Sequence, residues 1–192
     1  RTHVRRTFDL FMIAAVPIVV GTQVIAEPLM TLIAGPGYEA SGDVLKLLIF
    51  GVFGVFLGAL FGHVIVALNK QKPMTLGYIA VAIVTVIGYM IFIPTYGMWG
   101  ADWMTLFSEG LIALITFLVV WRVAGITPHL TVTFKSIVAS FVMYLALTIV
   151  PLPHVLLDLL MATVVYLIVM LAIKGIRLDD IKALRHVRQT LK

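Results

Sequence analysis

The chain has 192 residues, of which 61% are hydrophobic and 12% are charged, and its mean hydropathy of +1.11 excludes a soluble domain of this size. Its apolar runs are about 20 residues long, which favours spanning helices over the alternating ~10-residue strands of a membrane barrel. The chain has no cysteine, which excludes disulfides, thiol nucleophiles and thiolate metal sites.

Six hydrophobic spans are predicted within residues 1–177. Their approximate bounds are 8–33, 44–68, 73–93, 101–123, 136–150 and 155–173. All except the short fifth span are close to the length that crosses about 30 Å of hydrocarbon. We therefore predict an all-α protein, a bundle of six transmembrane helices. A charged start before an apolar run also resembles a signal peptide, but this run is too long for a signal core and five more spans follow it.

The distribution of basic residues predicts the orientation of the bundle. If the N-terminus is cytoplasmic, thirteen of the fourteen Lys and Arg fall on the cytoplasmic side and Lys46 alone falls outside. This alternation follows the positive-inside rule and predicts a multi-pass protein of the cytoplasmic membrane with both termini in the cytoplasm. The net charge of +5 is thus a topology signal. It does not indicate nucleic-acid binding, because no basic patch with interleaved aromatics lies outside the spans.

The first span contains two prolines and a carboxylate. Pro17 and Pro28 remove backbone donors, so kinks or breaks are expected within the membrane, and such breaks often line cavities. Glu27 lies near the outer end of the span. It either lines a cavity or simply reaches the headgroups.

The second span carries a glycine stripe. Gly54, Gly58 and Gly62 recur every four residues, so they lie on one helical face where a second helix can approach closely. The alternative is a smooth face that slides during a conformational change. His63 lies beside this stripe but near the cytoplasmic end. An ion pair between His63 and Glu109 of the fourth span is not expected, because the two residues differ in depth by roughly 10 Å.

The fourth span is the part of the chain that most needs an explanation. It follows a tight hairpin, residues 94–100, and carries Asp102 near its outer mouth and Glu109 deeper in the apolar run. A carboxylate at the centre of a spanning helix costs roughly 2.5–3.5 kcal/mol on insertion scales. Such a residue is therefore expected where the helix faces protein or a wet cavity.

An amphipathic helix is predicted over residues 178–192, after the last span. Apolar residues recur at helical spacing on one side, and Lys182, Arg185 and Arg188 lie opposite them. This pattern is typical of a helix that lies on the anionic inner leaflet.

Motifs that carry chemistry are absent from the sequence. It contains no zinc-binding His-Glu-x-x-His, no nucleophile elbow and no phosphate-binding glycine loop. An enzyme, a metal site and a cofactor are therefore not predicted. A helical bundle with kinked spans, a glycine stripe and sparse buried polar groups is instead the pattern of a transporter lobe.

The chain resembles the second half of polysaccharide flippases of the O-antigen and exopolysaccharide type. They belong to the superfamily that also holds the multidrug and toxin exporters and the lipid-II flippases. The resemblance covers most of residues 8–125 and rests on Pro17, the run Leu32–Ala40 leading into Leu45–Ile49, the span end Ala67–Lys72, and Phe92–Ala101 followed by Glu109. Where such sequences usually continue Gly-Ala-Ala after the hairpin, this chain has Gly-Ala-Asp. The extra carboxylate, Asp102, is either a residue at headgroup level or one that alters cation access to Glu109.

The resemblance implies alternating access by two lobes, through which an undecaprenyl-pyrophosphate-linked oligosaccharide crosses to the outer leaflet. It implies that this chain corresponds to the last six of fourteen spans, and a first residue that is Arg1 and not Met also favours a piece of a longer protein. An N-terminal lobe would then supply the cations for the pyrophosphate. If H⁺ or Na⁺ drives transport, Glu109 is a candidate ion site, with Asp102, Glu27 and His63 as further candidates. Alternatively, Glu109 only hydrogen-bonds a neighbouring helix.

Two other functions fit the same sequence. One is a drug/cation antiporter of the same superfamily, and the other is a six-span scaffold or assembly subunit without transport. A transporter predicts that Glu109 faces a polar cavity. A scaffold predicts that Glu109 is buried in helix contacts with every oxygen hydrogen-bonded.

Overall fold

The computed structural model describes residues 2–125, 130–150 and 152–175. Within these ranges the chain forms six α-helices, each long and apolar enough to cross a membrane. They are Thr2–Ala34 (α1), Glu39–Ala67 (α2), Gln71–Tyr96 (α3), Met98–Ala124 (α4), Leu130–Ile149 (α5) and Val155–Ala172 (α6). The prediction of an all-α bundle of six spans is confirmed, and the chain is a multi-pass membrane protein. The predicted amphipathic helix, with Lys182, Arg185 and Arg188, lies outside the described residues.

Each predicted span corresponds to one helix, but α1 to α5 begin earlier than predicted, whereas α6 begins at the predicted residue. The largest differences are at α1 and α5, each of which begins six residues before the predicted span. The added turns carry polar residues such as Arg6 and Thr131. Hydropathy marks only the hydrocarbon-crossing part of a helix, whereas the helical backbone continues into the headgroup region.

The helices pack in a row in the order α3, α4, α2, α1, α5 and α6, and α6 also contacts α1. α1 and α2 therefore lie at the centre of the bundle. Consecutive helices cross in opposite directions, so α2 and α4 run parallel along their shared contact. α3 lies at one edge, where it buries only Met74, Val81 and Gly88. The apolar side chains on its other faces are suited to contact with lipid.

Charge separates the two ends of the bundle. The basic end carries Arg5, Arg6, Lys70, Lys72, Arg122, Lys135 and Lys174. The acidic end carries Glu27, Glu39, Asp43, Asp102 and Asp158, with Lys46 as the one Lys or Arg there among the described residues.

Two apolar cores lie on either side of α1. The first joins α1, α2 and α4 toward the basic end, where the ring of Phe61 packs at a tilt between Phe8 and Phe117, with centroids 6.5 and 5.4 Å away. The second joins α1 to α5 and α6 and includes Met143 and Met170. α1 is thus the helix that holds the two halves of the bundle together.

The α3–α4 hairpin depends on two glycines. Gly97 has a φ of +58° and a ψ of −134°, a conformation that side chains rarely adopt. A Cβ at Gly100 would lie 2.3 Å from the carbonyl oxygen of Phe92. Because both positions are glycines, the first turn of α4 can lie directly against the last turn of α3. Asp102 follows Gly100 by two residues and is buried.

The structure shows no break in α1. The helix is continuous from Thr2 to Ala34 through both Pro17 and Pro28. A proline removes one backbone hydrogen bond, but a spanning helix tolerates this where neighbouring helices satisfy the free carbonyl.

Candidate functional site

Glu109 lies near the middle of α4 and is partly buried against α2. A Cβ built at Gly54 would lie 3.0 Å from the carbonyl carbon of Glu109 and 3.1 Å from its Cβ. Any side chain at Gly54 would therefore push the two helices apart. The glycine thus brings the α2 backbone against the backbone and Cβ of Glu109.

The carboxylate of Glu109 has no partner among the described residues. Neither a hydrogen bond nor a salt bridge from a described residue reaches it. The scaffold interpretation predicts that every oxygen of Glu109 is hydrogen-bonded, and this is not observed. Glu109 is thus a carboxylate at membrane depth that the packing of the bundle does not use.

An apolar groove lies beside Glu109, and we call it the aromatic groove. It encloses about 390 Å³ and runs along α2 between α1 and α4. Its lining includes Phe8, Phe50, Phe53, Phe61, Phe117 and Gly110. The transporter interpretation predicts a polar cavity at Glu109, and within the described residues the adjacent groove is apolar instead.

Asp102 lies on the same face of α4 as Glu109, because seven residues make about two helical turns. Its side chain is only 6% exposed, and its Oδ2 is buried without a hydrogen-bond partner in the described part of the chain. Asp102 is therefore packed among the helices, while its level relative to the headgroups stays a prediction. The sequence alone did not indicate this burial.

Glu27 pairs with another helix. Lys46 of α2 donates hydrogen bonds to the carboxylates of Glu27 on α1 and Asp43 on α2, the latter at 3.1 Å. The side chain of Glu27 remains 50% exposed. A Cβ at Gly42 would lie 2.8 Å from Cα of Glu27, so this glycine brings α1 and α2 together at the ion pair. Glu27 is thus engaged in an interhelical ion pair at the acidic end.

His63 is remote from both carboxylates of α4. It is exposed, and its Nδ1 lies 2.7 Å from the carbonyl oxygen of Ala59 on its own helix. Gly54 lies at the level of Glu109 on α2. His63 follows Gly54 by nine residues, which is about 13 Å along the axis of α2. The structure does not bring His63 together with the other candidates.

The three glycines of the stripe have different neighbours. A Cβ at Gly54 would meet the Glu109 backbone, and a Cβ at Gly58 would lie 3.2 Å from Cγ2 of Ile112. At Gly62 the nearest atom is the Tyr78 hydroxyl of α3, at an ordinary 3.5 Å. The close approach of α2 to α4 therefore rests on the first two glycines.

A polar cluster next to Pro17 was not predicted, and we call it the Pro17 cluster. Because Pro17 has no N–H, the Ile13 carbonyl lacks its usual donor from the backbone. Tyr166 of α6 donates a hydrogen bond to this carbonyl at 2.7 Å. Ser136 of α5 lies 2.8 Å from the Tyr166 hydroxyl and donates to the Met12 carbonyl at 3.1 Å. The proline was a usable signal, since a carbonyl without a donor inside a membrane bundle requires a polar side chain nearby.

The described residues contain no group of three or more His, Cys, Asp or Glu side chains arranged to hold a metal ion. The chemistry available at the site is therefore that of two carboxylates and an apolar groove.

Comparison with known proteins assigns no family. No protein-family model matches the chain, and neither the curated proteins nor the solved structures give a match.

Proposed function

We propose that this chain is the C-terminal lobe of a cation-coupled transporter that flips a lipid-linked oligosaccharide across the cytoplasmic membrane. In this function two lobes alternate between an inward-open and an outward-open arrangement. The N-terminal lobe of the same protein completes the cavity. The resemblance of residues 8–125 to polysaccharide flippases supports this assignment.

The observation that carries the proposal is the unpartnered carboxylate of Glu109. A charge at membrane depth without a counter-ion is costly and marks ion pathways or substrate sites in membrane proteins. Glu109 has no hydrogen-bond or ion-pair partner within the described ranges. The packing of the bundle gives no structural reason for this residue, which supports a role in binding H⁺ or Na⁺ during transport.

The aromatic groove supports a substrate with a hydrocarbon tail. A lipid-linked oligosaccharide needs a polar path only for its head group, while the isoprenoid tail stays in an apolar environment. A groove of about 390 Å³ with phenylalanines in its wall provides such an environment. The Lys and Arg that bind the pyrophosphate come, in this proposal, from the N-terminal lobe.

The charge separation of the bundle supports an orientation with both termini in the cytoplasm. Seven of the described Lys and Arg cluster at the end where α1 begins and α6 ends, and Lys46 alone lies at the other. Cytoplasmic ends of membrane proteins carry an excess of Lys and Arg. The proposed substrate would thus move from the basic end to the acidic end.

A second candidate is an antiporter of lipophilic cations. It is favoured by one observation, an apolar aromatic groove next to a carboxylate that no described cation neutralises. Aromatic faces and a carboxylate both attract organic cations. The two candidates differ in the sign of the substrate's charge.

Complementation of a flippase-null strain with the full-length gene tests the proposal. We expect the gene to restore surface polysaccharide and Glu109→Gln to abolish this activity at equal protein level. Glu39→Gln is the matched control, because Glu39 is an exposed carboxylate at the start of α2, and it should retain activity. Failure of the unmodified gene to restore polysaccharide, together with resistance to lipophilic cations, would favour the antiporter. Full activity of Glu109→Gln would remove the coupling role.

A further inference from the structure

Asp102 is the one buried residue in the described part of the chain that carries a carboxyl, amino or guanidinium group. Its exposed fraction is 6%, and its Oδ2 contacts no hydrogen-bond donor there. Each of the other buried polar side chains carries a hydroxyl group. Asp102 is thus the position at which a charge would be most costly.

The charged and titratable groups around Asp102 do not compensate a negative charge. From α2, Lys46 is engaged by Glu27 and Asp43 and makes no ion pair with Asp102. On α3, the Tyr89 hydroxyl makes a hydrogen bond with Oγ1 of Thr105 at 2.9 Å. On α4 itself the nearest titratable group is Glu109, another acid, about 10 Å along the axis.

An ionised carboxylate buried without a partner costs so much free energy that such groups become neutral instead. A metal cation would require several oxygen ligands, and no suitable group of carboxylates surrounds Asp102 within the described residues. A proton requires only the carboxylate oxygen. The uncompensated burial therefore favours a bound proton over a bound metal ion.

α2 leaves space about one helical turn from the level of Asp102. α2 and α4 run parallel with Gly54 against Glu109, so Asp102, seven residues before Glu109, lies near the level of residue 47 of α2, about one helical turn from Gly51. Gly51 is buried, yet a Cβ built there would meet no atom within 4 Å. A protonated carboxyl needs room for its hydrogen and needs no counter-charge. The space at Gly51 and the lack of an ion pair to Asp102 among the described residues are consistent with a protonated carboxyl.

We propose that Asp102 is a proton-binding residue that is neutral in the packed bundle and exchanges its proton with water at the acidic end. The step forms and breaks only an O–H bond, and water is the donor and the acceptor of the proton. The protonation of Asp102 does not depend on the proposed transport function. Its use to couple a proton gradient to movement of the lobe does rest on that function.

Infrared spectroscopy of the full-length protein in lipid bilayers tests the proposal without any substrate. A protonated carboxyl has a carbonyl stretch that is separate from the carboxylate bands. We expect such a band at neutral pH in the unmodified protein and its loss in Asp102→Asn. Asp158→Asn, which changes an acid at the start of α6, should leave the band unchanged. Asp102→Glu should shift the band, which assigns it even if the Asn variant folds poorly.

Two outcomes distinguish this proposal from the proposed function. If the band is absent at neutral pH, or is present and unaffected by both Asp102 variants, Asp102 is ionised and the proposal is overturned, whatever the complementation experiment shows. If the band belongs to Asp102 but the gene fails to restore polysaccharide, the proton site stands and the flippase assignment falls. Where both hold, Asp102→Asn should remove the dependence of transport on external pH.

Discussion

The Pro17 cluster and the carboxylates of α4 are two polar sites at membrane depth with opposite hydrogen bonding. In the Pro17 cluster, Tyr166 donates to the Ile13 carbonyl that the proline leaves without a donor, and Ser136 donates to the adjacent Met12 carbonyl. On α4, neither Asp102 Oδ2 nor the carboxylate of Glu109 has a partner among the described residues. The difference indicates that the first site stabilises the fold. The second site costs stability and requires a functional explanation.

Ser140 is an instructive intermediate. It is fully buried on α5, and its hydroxyl has no partner within the described ranges. An unpartnered hydroxyl costs about 1–3 kcal/mol, far less than an unpartnered charge. The contrast between the two sites therefore depends on charge as well as on missing hydrogen bonds.

The largest effect on stability is expected for Tyr166→Phe. This substitution leaves the Ile13 carbonyl without a donor and should lower the free energy of unfolding by about 1–2 kcal/mol. Reversible unfolding in mixed micelles measures the change. Tyr144→Phe is the control, because the Tyr144 hydroxyl makes no hydrogen bond within the described residues, and it should change little.

Combining Tyr166→Phe with Pro17→Ala sharpens this prediction. Alanine restores a backbone N–H that can bond to the Ile13 carbonyl, so the tyrosine hydroxyl is then needed less. We expect Tyr166→Phe to cost less in the Pro17→Ala background than in the unmodified chain, with a coupling of about 1 kcal/mol. Additive effects would show that the Tyr166 hydroxyl does not replace the donor that Pro17 lacks.

Alanine substitutions at two glycines of α2 should change stability in opposite directions. In Gly54→Ala the new Cβ lies 3.0–3.1 Å from Glu109 and forces α2 from α4, at a cost of about 1 kcal/mol. Gly51→Ala meets no atom within 4 Å and should stabilise by about 0.4–1 kcal/mol by restricting the unfolded chain. Equal effects at both positions would contradict the close contact at Glu109.

The ion pair of Glu27 with Lys46 should contribute least to the free energy of unfolding. Both side chains are partly exposed at the acidic end, at 50% and 27%, and such pairs are worth about 0–1 kcal/mol. Glu27→Gln should therefore leave the unfolding midpoint nearly unchanged in the same micelle assay. A loss of stability as large as that of Tyr166→Phe would show that Glu27, like Tyr166, stabilises the fold.

The sequence predicted the helices better than the contacts between them. Six apolar runs and the alternation of basic residues sufficed to predict the bundle, because the energy of placing a residue in lipid depends mainly on that residue. Glu109 was found in the same way, as a charge within an apolar run. Each of these features is local to one segment of the chain.

The contacts that were missed depend on residues far apart in sequence. Tyr166 lies 153 residues from Ile13, and a tyrosine in an apolar helix has no distinguishing pattern. The burial of Asp102 depends on how closely neighbouring helices approach α4, as they do at Gly54 and Gly88, which composition does not reveal. Glycine and proline positions were the usable signals in both places, since each marks a close approach or a missing donor.

The most direct test of this contrast is the free energy of unfolding of the double variant Asp102→Asn, Glu109→Gln. Both substitutions keep the shape of the side chain and remove only the ionisable group. If these carboxylates serve function and not folding, the double variant should unfold within about 0.5 kcal/mol of the unmodified chain or be more stable, although it no longer supports transport. A loss of about 2 kcal/mol or more, comparable to breaking a buried polar contact, would show that the two acids hold the bundle together.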